Sequence, residues 1–215
     1  MSEASFTLSL AAFPDREPPA EAPLPAPLRI RTPVRDPGTL RELEAGQSVI
    51  LEGVLIAGRD QAHKRLCALL AEGRRLPFDP RGAAIYYVGP TPPPPGSPGR
   101  ALGAAGPTTA GRMDALTPPL LEAGVKLLVG KGRRNAQVKE SLLSNGAVYC
   151  AAVGGAGAFY GNLVTEARLL AWPELGPEAL LALTVRDFPA MVALDLAGRD
   201  QYELGPRAWR APLGD

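Results

Sequence analysis

Four short apolar runs, Val49–Ala57, Ala83–Val88, Val125–Val129 and Ala147–Val153, constrain this chain more than any other feature. Runs of this length bounded by turn residues read as buried strands. Between them lie helical patterns. Asp60 opens one that runs to about Glu72, with Ala62, Leu66, Leu69 and Leu70 on one face and Gly73 as its stop. Pro118–Pro119 opens a second through Leu120 and Leu121, ending near Gly124, and Asn135 caps a third that places Val138, Leu142 and Leu143 inward and ends at Gly146. Ahead of the first run, Asp36–Pro37 starts a short helix with Leu40 and Leu43 apolar and Gly46 as its stop. Strands alternating with helices predict a parallel sheet. Gly53 interrupts the first run, where a bulge or a close backbone approach is expected.

The last third changes character. Asn162–Trp172 is β-like, Gly176–Pro177–Glu178 opens a short helix through Leu181, and Thr184–Arg186 and Ala190–Leu196 read as two strands separated at Asp187–Phe188–Pro189. Gly198–Arg199–Asp200 then reads as a hairpin turn into Gln201–Leu204. The fold class that follows is α/β, with a mixed sheet and helices packed against it.

At 215 residues the chain suits one domain with appendages. Residues 1–35 carry Pro14, Pro18, Pro19, Pro23, Pro25, Pro27 and Pro33, which favour extended backbone, so they read as a tail or an arm on a partner. The expected domain spans 36–205, with 206–215 as a C-terminal tail. A second Pro-rich stretch, Thr91–Pro98, predicts a stiff loop inside the domain. The net charge of +1 gives no bulk attraction to nucleic acid or an anionic membrane. Cys67 and Cys150 lie outside any CxxC pattern and cannot alone hold zinc or an iron–sulfur cluster. No window approaches a membrane span, and Glu3, Asp15 and Glu17 make the N-terminus a poor secretory signal. A cytoplasmic protein is expected.

The densest chemistry is in Gly106–Asp114, GPTTAGRMD. Gly106 permits close approach to a ligand, and Pro107 fixes φ where a helix can begin. In a helix, Thr108 and Arg112 would share a face, and the free N–H groups of the first turn would face an anion. Two other strand-to-helix junctions also carry cations, Arg59 before the 60–72 helix and Lys131 after the 125–129 run. A cation at a helix start opposes the macrodipole by about 0.3–1 kcal/mol. Three such placements predict a dianionic ligand beyond the carboxyl ends of the strands. His63, the only histidine, lies one turn after Arg59, where a hydrogen bond to Asp60 would make it a support for that corner. Gly155–Ala156–Gly157 with Gly161 has GxGxxxG spacing rather than the dinucleotide fingerprint, and Gly130–Lys131–Gly132 lacks the Walker frame.

Several runs in register carry a family resemblance. Arg59–Asp60–Gln61–Ala62–His63–Lys64–Arg65 resembles an RDxAHxR element, and Gly106–Asp114 matches GPTTxxRMD at every fixed position. Gly130–Lys131–Gly132, Ala152–Ala156, Leu175–Ala179 and Asp187–Phe188–Pro189 follow in the same order. Over about residues 32–205 the chain is similar to the beta subunit, or C-terminal domain, of the class I fumarate hydratase and L-tartrate dehydratase family. The resemblance implies a swivelling β/β/α-type fold. It implies a hydro-lyase reaction, fumarate to L-malate or the dehydration of another hydroxydicarboxylate. It also implies a [4Fe–4S] cluster held by three cysteines of a separate alpha subunit, in a hetero-oligomer such as α2β2. Arg59, Arg112 and Lys131 would then bind substrate carboxylates, with Thr109 beside them and Thr108 at the carbon-bound proton. Asp60, His63 and Asp114 would support them. A stand-alone anion-binding module is the alternative from another class.

Overall fold

The computed structural model describes residues 26–209. Seven strands form one sheet in the order β1-β2-β3-β4-β5-β7-β6: β1 (Leu28–Thr32), β2 (Ser48–Ala57), β3 (Ala84–Tyr86), β4 (Leu127–Gly130), β5 (Val148–Ala151), β6 (Val164–Ala171) and β7 (Leu180–Leu194). The first five run parallel, and β7 is antiparallel to β2, β5 and β6. Because β7 pairs with both β2 and β5, the strands β2-β3-β4-β5-β7 close a ring. This is the mixed α/β sheet that the alternation predicts.

The period of two in each strand feeds two cores. One face gives Leu55, Ala57, Tyr86, Val129 and Cys150 to a core closed by Tyr160, Phe188 and Val192. The other gives Ile56, Ile85, Tyr87, Leu128 and Tyr149 to a core covered by α2 (Asp60–Ala71), α3 (Pro118–Glu122) and α4 (Ala136–Ser144). Asn135 caps α4 as expected, its side chain accepting from Val138 N at 2.9 Å. At Gly53 the register shifts and φ is +103°; a Cβ there would stand 2.2 Å from Thr32 O, so only glycine fits.

Several expectations are corrected. The tail is shorter at its inner end, because β1 pairs with β2 and buries Ile30; residues 1–25 lie outside the described residues. Leu28, Ile30 and Thr32 alternate, and the prolines at 27 and 33 flank the strand instead of entering it. The helix expected over 36–46 is one turn, α1 (Gly38–Arg41). Gly157–Asn162 forms a short helix, α5, where Gly161 takes a space that a Cβ could not, 1.8 Å from Gly103 O. The two late strands are one, β7, which passes through Asp187 at φ +53° without breaking. The helix expected from Gly176 is a 3-10 turn, Pro173–Glu178, and Leu180 already belongs to β7. Gln201–Leu204 is not a strand but the start of α6 (Gln201–Trp209), so the expected C-terminal tail is helical to residue 209. Asp200 starts that helix, its carboxylate accepting from Tyr202 N at 2.9 Å and its carbonyl from Glu203 N. Among the described residues no helix is long and apolar enough to cross a membrane.

Candidate functional site

Four parallel strands, β2 to β5, end on the same side of the sheet, and the segment 108–110 pairs with the chain just beyond β3 and β4. Thr108 N donates to Tyr87 O at 2.8 Å, Lys131 N to Thr108 O at 3.2 Å, and Ala110 N to Lys131 O at 2.8 Å. Thr109 and Lys131 thus form a parallel bridge beyond the end of β4. Only glycine fits at position 130, since a Cβ would meet Tyr87 Cδ2 at 2.7 Å and Ala110 Cβ at 3.1 Å. Residues 106–109 are not helical, Thr109 being extended, and a 3-10 helix begins only at Ala110 and ends at Leu116. Thr108 and Arg112 therefore do not share an α-helical face. Backbone pairing with Lys131, not helical spacing, sets the position of Thr108.

The cations fall into two groups. Arg112 donates through Nε (3.0 Å) and Nη2 (2.5 Å) to the two oxygens of Asp60, the first residue of α2. Arg59 Nε lies 3.7 Å from the same carboxylate, so Asp60 joins the two arginines. Arg59 also donates through Nη2 to Glu178 at 2.8 Å. Lys131 sits with Thr108 and Thr109 in the second group, its stem crossing Gly154, where a Cβ would stand 3.3 Å from Lys131 Cδ. Lys131 forms no ion pair, and the Thr108 hydroxyl no hydrogen bond, among the described residues. Arg112 follows Thr109 by three residues along the chain. Thr108 and Lys131 are half-buried; Thr109 and Arg112 are exposed.

The supporting residues are arranged differently from the expectation. Asp60 does not bond His63, because both its oxygens face Arg112. His63 is fully buried, and its Nδ1 lies 3.0 Å from Arg59 O, so it carries the proton there. Burial, partly opposed by that bond, lowers its pKa to about 4, and the ring is neutral. Nε2 has no partner among the described residues, and the ring packs 5.3 Å from Tyr87. Asp114 faces away from the cations. It accepts from Arg134 Nε at 2.6 Å and Asn135 N at 2.8 Å, tying the 3-10 helix to the start of α4. Arg134, which no sequence signal singled out, also donates to Thr117 and Tyr87 and stacks between Tyr87 and Tyr149. Tyr202 of α6 accepts from Gly132 N at 2.8 Å and holds the turn after Lys131.

The two thiols do not suit an iron–sulfur cluster. Cys150 is buried in the core and pushed up to about 12 by burial, and Cys67 donates to Leu116 O at 3.2 Å. Among the described residues no group of three metal-ligating side chains converges. Beside Gly154 an apolar groove of about 820 Å³ opens between Val49, Ala152, Val153, Phe159, Pro189 and Met191. Its wall leaves Val153 67% and Phe159 51% exposed.

The sequence matches the family profile described as Fumarase C-terminus over residues 26–205. It is 37% identical to fumarate hydratase 2 of Leishmania major over 76% of this chain and 28% of that protein. It is 38% identical to the anaerobic class I fumarate hydratase of Escherichia coli strain K12 over 71% and 28%. It is 32% identical to a Methanocaldococcus jannaschii protein assigned as L(+)-tartrate dehydratase subunit beta, over 76% of this chain and 86% of that one. The chain thus spans just over a quarter of the fumarate hydratases it matches and most of the beta subunit.

Proposed function

The chain belongs to the fumarase C-terminus family, and on that premise we propose that it is the beta subunit of a class I fumarate hydratase, interconverting fumarate and L-malate with a partner alpha subunit. The observation that supports the reading is the backbone pairing of residues 108–110 with Lys131, which brings the two threonines and a half-buried lysine without an ion pair among the described residues to the end of one strand. In the dehydration direction the C–H bond next to a carboxylate breaks, the C–O bond breaks, and water leaves. Negative charge grows on that carboxylate as the proton departs. Preoriented Arg and Lys donors stabilise such charge. Lys131, Arg59 and Arg112 hold the two carboxylates, and Thr109 lines the same edge. Thr108 receives the carbon-bound proton. An isolated alkoxide is far too basic for pH 7, and the neighbouring ammonium together with exclusion of water by the partner lowers that cost.

In the proposed enzyme a [4Fe–4S] cluster is held, as the family resemblance implies, by three cysteines of the partner; Cys150 in the core and Cys67, bonded to Leu116 O, take no part in it. The groove beside Gly154 suits that partner: the single-chain relatives are more than three times longer than the part matched here. The assembly is a hetero-oligomer, α2β2 in its simplest symmetric form, in a cytoplasm where Cys67 and Cys150 stay reduced. A second substrate, L-tartrate or a similar hydroxydicarboxylate, is favoured by the near-complete coverage of the tartrate dehydratase beta subunit.

In the complex made with its partner without oxygen, Thr108→Ala is expected to lower kcat by about 10²–10⁴-fold, the usual range for a proton-transfer group, with little change in KM. Wild-type turnover by that variant excludes the proposed base.

A further inference from the structure

The loop before β7 reaches back to the corner of the site. Helix α2 begins at Asp60 with Arg59 in the N-cap place and no side-chain cap of its own. The Gln61 N–H instead donates to Glu178 Oε2 at 2.8 Å, from a residue 117 positions later. The other oxygen of Glu178 accepts from Arg59 Nη2, also at 2.8 Å. One carboxylate, with its side chain 20% exposed, therefore spans the start of the helix and the guanidinium.

Arg59 has little freedom beyond this contact. Its side chain passes Gly89, where a Cβ would stand 3.1 Å from Arg59 Cδ and Nη1 and 3.0 Å from Pro177 O. The guanidinium is confined between Gly89 and Pro177–Glu178. Its Nε is buried, 3.7 Å from Asp60 Oδ2 and without a hydrogen-bond partner among the described residues, so the donors open to a ligand belong to the 30% of the side chain that is exposed. The same loop is held to α2 a second time, by Glu174 on Arg65 and by Arg65 over the Trp172 ring.

We propose that Glu178 is a positioning residue: it holds Arg59 by one edge so that the remaining donors face the substrate carboxylate. Through the N-terminus of α2 it also fixes Asp60 and hence Arg112. This rests on the reading of Arg59 as a carboxylate ligand. It further implies that the arginines supply direction while Lys131 supplies unbalanced charge, because Glu178 and Asp60 already offset Arg59 and Arg112.

The test is a double-mutant cycle in the assembled complex. Glu178→Ala should raise the KM for the diacid about tenfold with kcat within about twofold. Added to Arg59→Ala, it should change KM no further, and Glu178→Gln, which keeps an oxygen acceptor, should recover part of the loss. Equal KM effects of Glu178→Ala in the two backgrounds would mean that the residue only supports the fold, and would overturn the proposal. If the complex turns over no diacid, the hydro-lyase reading fails, and the contact itself is read in the isolated full chain. There the Arg59 Nε–H signal, identified by its loss in Arg59→Ala, should exchange faster with solvent in Glu178→Gln. Unchanged exchange would overturn the positioning role independently of any activity.

Discussion

Lys131 differs from the two arginines in having no carboxylate partner among the described residues. Arg112 is bidentate on Asp60 and Arg59 is bound to Glu178, so each keeps some donors for a ligand but little net charge. Lys131→Ala in the assembled enzyme is accordingly expected to raise KM for the diacid by about 10–100-fold, the loss of one charge-assisted contact of about 1.5–3 kcal/mol. Initial-rate kinetics would measure it, and an unchanged KM would place the ligand elsewhere. His63 makes a prediction about pH. Its folded pKa, about 4, lies below the unfolded value of about 6.5, so the unfolded chain takes up a proton first as pH falls. The stability due to its neutral ring is present above about pH 6.5 and is lost progressively as pH falls toward 4. Urea unfolding should show a loss of about 2 kcal/mol from this group between pH 7 and pH 5, absent in His63→Asn. The three cations and the GPTT run were legible because residue type and strand-end position both mark them. Glu178 was not: its contact with Arg59 joins residues 119 positions apart, and no local pattern encodes it.

At the scale of elements, the piece carrying Thr108 is held from behind by a buried ion pair. Arg134 has a fully buried side chain, and its Nε and the Asn135 N–H occupy the two oxygens of Asp114. Replacing one partner leaves the other charge buried and unpaired, which costs about 3–5 kcal/mol. Arg134→Met should therefore destabilise the isolated chain by that amount in urea titration, and Asp114→Leu in the same background should recover part of it. Asp114 sits in the most recognisable run of the sequence and was expected to support the cations; its carboxylate instead holds Arg134 and the start of α4. The helices with a clear 3.6-residue period, α2 and α4, were readable, as were β2, β4 and β5. The C-terminal third was read less well for a physical reason. Asp200 and Glu203 stand three apart, an N-cap and N3 pair that starts a helix, but the preceding Gly198 favoured a hairpin. In β7, Pro189 sits between two strand partners and looked like a break, while Phe188 packs into the core and carries the strand through.

For the whole molecule, alternation of strand and helix was enough to predict that Arg59 and Lys131 follow the carboxyl ends of parallel strands, β2 and β4. It could not predict that β7 would close the ring onto β2 and β5, because those pairings are decided by long-range packing. Nor could it locate the apolar groove, which is assembled from β2, β5, α5 and β7. With Phe159 already half exposed, Phe159→Glu should leave the fold intact and abolish co-purification with the alpha subunit; retained association would put the interface elsewhere. The central claim is that this chain supplies the anion-gripping half of a site completed by another polypeptide. Its most direct test is anaerobic turnover of fumarate, L-malate and L-tartrate by the co-expressed complex and by the isolated chain, side by side. Turnover by the complex and none by the chain alone is expected; hydro-lyase activity in the isolated chain would contradict a divided site.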